Sequence, residues 1–323
     1  MPANTSLPAN APKAANAAPN EAPNNAPNPR PAPLVANLIG SDTTDTLSGD
    51  RNDNSYSAGA GNDLLLASSG NDSFSGGTGI DILDYSGVNA NLTLARGGVL
   101  TKSNDLGTDT ITGFDIEVIR ANPNRVNTID GTTGTTAALN VNLATKILTI
   151  NNLPGIGSAS LTVENFQNVN GSENADVIVG SNGRNALNGG GGNDVLTGLR
   201  GADLLTGGGG SDTFVYNRAD SLLNGFDRIT DLQIGADVID GLVTASSVRQ
   251  FGSVAALTGF DISQVLTAQA FGADLAATFT LGSGSTSRTF LAMNDNQNGF
   301  QANSDNIVEI TGYSGQLSQL QVV

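Results

Sequence analysis

The most regular feature of the chain is a nine-residue pattern of polar and apolar positions that occurs in two blocks. The first block is residues 40–84 and the second is residues 171–215, and each divides into five consecutive units. Across the ten units the sixth position is Asp in eight, the first is Gly in eight, and the fourth is Gly or Asn in nine. The eighth position is apolar in every unit: Leu47, Tyr56, Leu65, Phe74, Leu83, Ile178, Leu187, Leu196, Leu205 and Phe214. Several columns that keep one period indicate an internal repeat.

Each unit predicts a tight turn followed by a three-residue strand. Gly and Asn tolerate the positive φ that such a turn needs. Side chains alternate along a strand, so the eighth position points inward while the seventh and ninth point outward. One strand this short cannot bury its apolar residue alone. Stacked parallel strands can, so the pattern predicts a solenoid.

The segment between the blocks, residues 85–170, carries a weaker duplication. Residues 91–101 resemble 140–150, and residues 110–119 resemble 161–169. Within it Leu139, Val141 and Leu143 alternate with polar residues, as a half-buried strand requires. Residues 125–131 resemble a degenerate unit and match 174–180. We expect strands here that continue or cap the coil, rather than an active site.

The N-terminal residues 1–33 differ in composition from the rest of the chain. They hold nine of the eleven prolines and almost no large apolar residues, which predicts a disordered leader. We expect no Sec-type signal peptide, because this stretch has no apolar core segment.

Composition excludes several functional classes. The chain has 25 Asp and 5 Glu, no His, Cys or Trp, and a net charge of −16. The absence of Cys excludes disulfides and thiolate sites, and the absence of His excludes the Ser-His-Asp triad and the HExxH helix. The negative charge argues against nucleic-acid binding, and no apolar run approaches the ~18 residues that a membrane span needs.

The units resemble the GGxGxDxUx nonapeptides of the RTX (hemolysin-type, calcium-binding) family. The resemblance implies an all-β fold, a right-handed parallel β-roll or β-solenoid with two nonapeptides per turn and calcium ions between the turns. It covers residues 40–84 and 171–323. We expect a first nonapeptide block at 40–87, a degenerate β segment at 88–170, a second block at 171–215 and a β-rich C-terminal domain at 216–323.

In such a roll, units two apart stack and share a cation. We expect two well-liganded positions on the three-Asp side of each block and one weaker position on the other side, at most about six calcium ions. The three-Asp sides carry Asp45, Asp63 and Asp81, then Asp176, Asp194 and Asp212; the other sides carry Asn54 with Asp72 and Asn185 with Asp203. Backbone carbonyls at positions 2 and 4 complete the ligand set that the resemblance implies: Gly61, Gly70, Gly77, Gly79, Gly190, Gly192, Gly201, Gly208 and Gly210. The alternative is that these aspartates only form Asx turns.

Two further acidic clusters leave alternatives open. The aspartates around Gly235, at 227, 231, 237 and 240, predict either one more calcium site or a solvated turn. Residues 294–305 have the spacing of an EF-hand loop, with Asn at its first position and Asp at its last.

The C-terminal region resembles the segments that follow the repeats in secreted RTX proteins. Residues 225–241 are similar to the C-terminal region of serralysin-type proteases, and residues 288–323 to the cyanobacterial "bluetail" surface-protein tail. In the RTX family this end carries an uncleaved type I secretion signal, so the resemblance implies export to the cell surface or medium.

These observations predict a secreted or cell-surface calcium-binding protein that folds on extracellular calcium and has a structural, adhesive or display role. The expected partners are calcium ions, a cell-surface glycan or surface-layer matrix, and the type I secretion machinery, but neither nucleic acid nor a membrane span. The alternative is the C-terminal region of, or an accessory to, a secreted RTX hydrolase that lacks its catalytic domain here. We expect no enzyme activity, since no segment outside the repeats has the size of a catalytic domain; a carboxylate-based glycan-active enzyme is the residual possibility.

Overall fold

The structure is a computed structural model. It describes residues 36–113, 115–132, 137–153, 157–241, 243–245 and 248–323. The predicted leader at residues 1–33 lies outside the described residues.

The described residues form 26 strands, one short α-helix and two 3-10 turns. The helix is α1 (Gly259–Val265), and the 3-10 turns are Gly284–Thr286 and Leu317–Gln319. The strands are β1 (Ala36–Ile39), β2 (Thr46–Ser48), β3 (Asn54–Ala60), β4 (Leu64–Leu66), β5 (Ser73–Thr78), β6 (Ile82–Asp84), β7 (Leu92–Ala95), β8 (Val99–Lys102), β9 (Gly107–Ile111), β10 (Val118–Arg120), β11 (Thr128–Asp130), β12 (Leu139–Asn142), β13 (Ile147–Leu153), β14 (Gly157–Glu164), β15 (Asn168–Asn170), β16 (Val177–Val179), β17 (Ala186–Gly191), β18 (Val195–Thr197), β19 (Leu204–Gly209), β20 (Thr213–Val215), β21 (Asp227–Ile229), β22 (Val238–Asp240), β23 (Arg249–Val254), β24 (Ala276–Leu281), β25 (Arg288–Met293) and β26 (Asn306–Glu309).

The first of two compact units takes in the chain up to Ala90 and then Gly97–Arg125. Its first block alternates between two sheets, because successive nonapeptides lie on opposite sides of the coil. Strands β1, β3, β5, β9 and β8 follow one another in one sheet, and β2, β4, β6 and β10 in the other. All neighbours are parallel except the β8–β9 hairpin.

The second unit comprises Asn91–Arg96 and Val126–Val323. One of its sheets has the order β7-β11-β15-β17-β19-β21-β26-β25-β24-β23, and the other has the order β14-β13-β12-β16-β18-β20-β22. Strands β11 and β15 pair in parallel with their neighbours, so these two strands continue the coil of this unit. The antiparallel strands β12, β13 and β14 form a meander in the course of the same coil.

The predicted eighteen-residue period is confirmed by the strand register. Leu47 lies opposite Leu65, which lies opposite Leu83, and in the second block Ile178, Leu196 and Phe214 are aligned in the same way. All ten eighth-position side chains are at most 2% exposed, so they form a continuous apolar core along each coil. Tyr56 and Phe74 stack with ring centroids 4.3 Å apart.

The C-terminal end of the second unit has a core of its own. Helix α1 begins at the cap residue Thr258, whose hydroxyl accepts the backbone N–H of Asp261. Ile262 of this helix packs with Phe279 of β24 and Phe290 of β25 in one buried cluster. None of the described helices is long and apolar enough to span a bilayer.

Candidate metal centre

Sixth-position side chains connect successive turns through a ladder of hydrogen bonds. In six of the aspartates one carboxylate oxygen accepts the backbone N–H of the residue eighteen positions earlier. Asp63 accepts from Asp45 at 2.7 Å, and Asp81 accepts from Asp63 at 2.9 Å. In the second block Asp194 accepts from Asp176 at 2.8 Å. The remaining rungs run from Asp194 to Asp212, from Asn54 to Asp72 and from Asn185 to Asp203.

The second carboxylate oxygen of several ladder residues is buried and has no hydrogen-bond partner. Each of these side chains belongs to a residue at most 2% exposed. A buried acceptor left without a partner costs about 1–3 kcal/mol, and a charged one costs more. Six aspartate Oδ2 atoms of the described ladder residues are in this state: those of Asp63, Asp81, Asp194, Asp203, Asp212 and Asp227.

For four of these oxygens the nonapeptide begins with a glycine that has no room for a side chain. A Cβ atom on Gly189 would lie 2.1 Å from Oδ2 of Asp194, and one on Gly207 would lie 2.3 Å from Oδ2 of Asp212. These four oxygens therefore sit against bare backbone at the first position of their own nonapeptides: those of Asp81, Asp194, Asp203 and Asp212.

Backbone carbonyls point along the stack in the same turns. A Cβ on Gly210 would lie 1.7 Å from the carbonyl oxygen of Gly192, and one on Gly79 would lie 1.7 Å from that of Gly61. All nine glycines of the predicted ligand set have positive φ, between 99° and 152°. The fourth-position carbonyls are thus aimed at the next turn, where they can add neutral oxygen ligands to the carboxylates.

Other turns are closed by a serine at the second position. Ser41 donates its N–H to Oδ2 of Asp45 at 2.6 Å, and Ser172 does the same to Asp176 at 2.5 Å. Both serine hydroxyls also bond the same carboxylates, at 2.7 and 3.1 Å. Asp45 and Asp176 are predicted cation ligands; in the structure Ser41 bonds one oxygen of Asp45, and both oxygens of Asp176 accept hydrogen bonds, so their ligand role stays a prediction. The first buried oxygen without a partner lies one turn later in each three-Asp row, at Asp63 and at Asp194.

The buried carboxyls have raised pKa values in the absence of a cation. Burial raises the pKa of Asp194 and of Asp203 to about 7, and the facing carboxylates add to the rise. For Asp227 burial, with Asp203 nearby, raises the pKa to about 8. The pKa values of Asp63, Asp81 and Asp212 move in the same direction, again mainly because of burial. A divalent cation would remove this penalty, because it neutralises the paired charges.

The donor set fits calcium. Among the described residues no three acidic side chains converge on one point, so carboxylates alone would not form a site. Paired carboxylate oxygens together with carbonyls are the hard, flexible oxygen set that Ca²⁺ accepts, whereas Mg²⁺ requires a tight octahedron.

Comparison with known proteins agrees with this geometry. The sequence matches the model of the RTX calcium-binding nonapeptide repeat in four copies, at residues 48–83, 170–205, 179–214 and 188–221. The chain carries RTX calcium-binding repeats. Because these repeats form the parallel coil described above, the protein is a calcium-binding β-roll protein.

Other comparisons add less. No curated protein matches the sequence. Among solved structures, the extracellular lipase LipA from Serratia marcescens is similar over 90% of this chain and 40% of its own, with 15% identity and a TM-score of 0.24. The chain therefore spans less than half the length of that lipase.

The RTX ladders extend beyond the predicted blocks. Asp109 and Glu117 accept the N–H groups of Asp72 and Asp81, at 2.9 and 2.8 Å. Asp227 and Asp237 do the same for Asp203 and Asp212, at 2.9 and 3.1 Å. Sequence reasoning did not place Asp109 or Glu117 in the ladder. The signal was an acidic residue two positions before a buried Ile, as in Glu117–Ile119, without the glycine turn that normally precedes it.

The acidic cluster around Gly235 is divided between these ladders. Asp227 and Asp237 lie on different rows, and Asp231 accepts the N–H groups of Gly207 and Gly208 at 3.0 and 2.8 Å. The four aspartates therefore extend the RTX coil rather than surrounding one point.

The EF-hand-like spacing at residues 294–305 serves a different purpose. The Asn294 amide donates to the carbonyls of Phe271 and Gly272, and Asn298 accepts from Ala273. Asp305 accepts two backbone N–H groups within its own loop, from residues 295 and 301. The two asparagines thus connect the loop to the C-terminal core, and Asp305 binds the backbone of its own loop.

Proposed function

We propose that the protein is a secreted or cell-surface structural protein whose β-roll folds when it binds extracellular calcium, and that the folded coil serves adhesion or surface display. The observation that carries the proposal is the set of six buried aspartate oxygens without partners. In an unfolded chain these oxygens are hydrated. Folding removes their water, so a cation must replace it, and its binding free energy becomes folding free energy.

The calcium concentration then determines where the chain folds. Extracellular calcium modules have affinities of about 10⁻⁴–10⁻³ M, which suffice outside the cell but not in a cytosol poor in calcium. A chain without Cys that stays unfolded until it meets calcium suits passage through a type I secretion channel. The net charge of −16 is also consistent with a surface or matrix protein that is assembled by divalent ions.

The role that we propose is structural rather than catalytic. Paired carboxylates can hydrolyse a glycosidic bond only if substrate and water reach them. The six ladder carboxylates that have an oxygen without a partner are at most 2% exposed, so they are placed to hold ions rather than to meet a substrate.

The primary test is a calcium titration of the full chain after removal of metal with a chelator. We expect β-type circular dichroism to increase with calcium but not with equimolar magnesium, and a metal analysis of the folded protein to give several calcium ions per chain. No change in the spectrum up to about 10 mM calcium, well above the affinity of extracellular modules, would overturn the calcium proposal.

Export and adhesion need separate tests. A chain that ends near residue 264 should no longer leave cells that express a type I secretion system, whereas the full chain should be exported. Binding of the calcium-loaded chain to a glycan array, and its loss in chelator, would support adhesion; absence of any glycan or cell-surface binding would argue against it.

A further inference from the structure

A buried lysine in the first unit lies among the oxygens of one ladder position. The Lys102 side chain is fully buried, with Nζ 2.5 Å from Oδ1 of Asp109 and 3.6 Å from Oδ2 of Asp72. Its Nζ also donates to the carbonyl oxygen of Ser68 at 2.8 Å. Lys102 ends strand β8, and the β8–β9 hairpin pairs it with Gly107. The hairpin thus delivers an ammonium group into the coil.

The three oxygens around this ammonium are of the kinds expected at a calcium position. Asp72 is the sixth-position carboxylate of its nonapeptide, and Asp109 is the next rung of the same ladder. Ser68 supplies the second-position carbonyl. Two facing carboxylates and a turn carbonyl therefore converge on a side-chain cation instead of leaving oxygens without partners.

The second unit contains the same arrangement without a lysine. Asp203 and Asp227 form the equivalent rung, with the same 2.9 Å bond that joins Asp72 to Asp109. A tyrosine follows each block directly, Tyr85 in the first and Tyr216 in the second.

The Oδ2 atoms of both carboxylates and the tyrosine hydroxyl have hydrogen-bond partners around Lys102 but not at the counterpart position. Around Lys102 the Tyr85 hydroxyl donates to Oδ2 of Asp109 at 2.7 Å, and Ser68 Oγ donates to Oδ2 of Asp72 at 3.2 Å. In the second unit the Oδ2 atoms of Asp203 and Asp227, and the hydroxyl of Tyr216, are all buried without a partner. The position with Lys102 therefore has its oxygens hydrogen-bonded, and the position without a lysine has oxygens that lack a partner.

We propose that the Lys102 ammonium is a built-in cation that takes the place of calcium between Asp72 and Asp109. The first unit then has one ladder position that closes without metal, while its counterpart at Asp203 and Asp227 requires calcium. This inference rests on the proposed calcium-dependent folding. It also bears on the weaker calcium position predicted for the side with Asn54 and Asp72, because the ammonium lies beside the Asp72 carboxylate.

The test replaces the lysine in the full chain. Lys102→Ala leaves two facing carboxylates without a cation and opens space beside them, so we expect it to bind one calcium ion per chain more than wild type in equilibrium dialysis. Lys146→Ala is the matched control, because Lys146 is half exposed and pairs with Glu164 at the surface. It should bind the same number of ions as wild type.

Terbium supplies a local probe, because tyrosine excitation sensitises its emission at short range. In Lys102→Ala, terbium held by Asp109 would lie next to Tyr85, so sensitised emission at saturation should exceed that of wild type. Lys146→Ala should match wild type.

A second variant keeps the result interpretable if Lys102→Ala folds poorly. The double variant Lys102→Ala with Asp72→Asn has one carboxylate fewer, and we expect it to fold without gaining an ion. If the single variant gains no ion, or remains unfolded in saturating calcium while the double variant folds, calcium cannot enter the position and the inference is overturned. If wild type itself binds no calcium, the proposed function fails instead.

Discussion

Replacing one ladder aspartate by asparagine should have opposite effects with and without calcium. Asp194 accepts the N–H of Asp176 through Oδ1, and its Oδ2 is buried without a partner. In the Asp194→Asn variant the amide would keep an oxygen for the ladder bond but would carry no charge. Without calcium the substitution removes a buried charge, whereas with calcium it removes a ligand.

The size of the expected change in the free energy of unfolding follows from the pKa of Asp194. Burial raises the pKa of Asp194 from 3.8 to about 7, which corresponds to about 4 kcal/mol. A carboxyl whose pKa is raised in the folded state favours folding only while it is protonated. Its contribution is therefore present below about pH 4 and is lost as the pH rises through about 7. At pH 8 without calcium, we expect Asp194→Asn to stabilise the fold by up to about 4 kcal/mol, and the gain should shrink as the pH falls.

The assay is urea or thermal unfolding of the full chain, followed by circular dichroism, in excess chelator and in 10 mM calcium. If the metal-free wild type is unfolded, the concentration of trimethylamine N-oxide needed to fold each variant replaces the melt. Asp45→Asn is the control, because Ser41 already binds the second oxygen of Asp45, so calcium should stabilise it as much as wild type. If Asp194→Asn were less stable than wild type in chelator, or equally stable in calcium, the reasoning would be refuted.

Three further predictions test separate parts of the argument. Calcium affinity should fall as the pH is lowered from 8.5 to 6, and binding should release protons, because burial raises the pKa of Asp227 to about 8. Calorimetry in buffers of different ionisation enthalpy measures this release, and an affinity independent of pH would contradict the prediction. Gly210→Ala should lower the free energy of unfolding of the calcium-loaded protein by about 2 kcal/mol or more, because φ is +134° and the new Cβ would meet the Gly192 carbonyl. Gly209→Ala is the control, because its Cβ would enter open space, and it should have a melting temperature near that of wild type. Equal melting temperatures of the two variants would contradict the close approach. Ser172→Gly removes the hydroxyl that bonds Oδ1 of Asp176, but both Asp176 oxygens keep a backbone N–H donor, so dialysis should give the calcium isotherm of wild type; additional calcium binding would show that the hydroxyl alone closes that turn.

The repeating part of the fold could be predicted from the sequence because every nonapeptide follows the same local pattern. An inward apolar residue, a turn glycine and a sixth-position aspartate recur at fixed spacing, so the register of Leu47 on Leu65 follows from the sequence alone. Likewise, the expected glycines adopt positive φ because no other residue fits the close stacking of turns.

The features that sequence reasoning missed depend on contacts between distant segments. Asp109 is 37 residues from its ladder partner Asp72, since a hairpin interrupts the eighteen-residue period. Lys102 reads in the sequence as an ordinary polar strand residue, and only the fold places its ammonium beside two carboxylates. Ser41 and Ser172 stand at turn positions in the sequence, and only the fold shows that their backbone N–H groups and hydroxyls bond a neighbouring carboxylate.

The ladder can be completed without metal in a second way, and this bears on how the coil depends on calcium. Two rungs of the second unit are amides: Asn127 accepts the N–H of Leu92 at 2.9 Å, and Gln167 accepts that of Asn127 at 2.8 Å. A neutral amide accepts the same backbone bond as a carboxylate but adds no charge to the buried row. Removing calcium should therefore open the carboxylate rungs at Asp194 and Asp203 before the amide rungs, because only the carboxylates repel one another once the cation is gone. The spacing of rungs fixes the shape of the coil, while the choice of Asp, Asn, Gln or a lysine partner at each rung sets how much of that coil needs the ion.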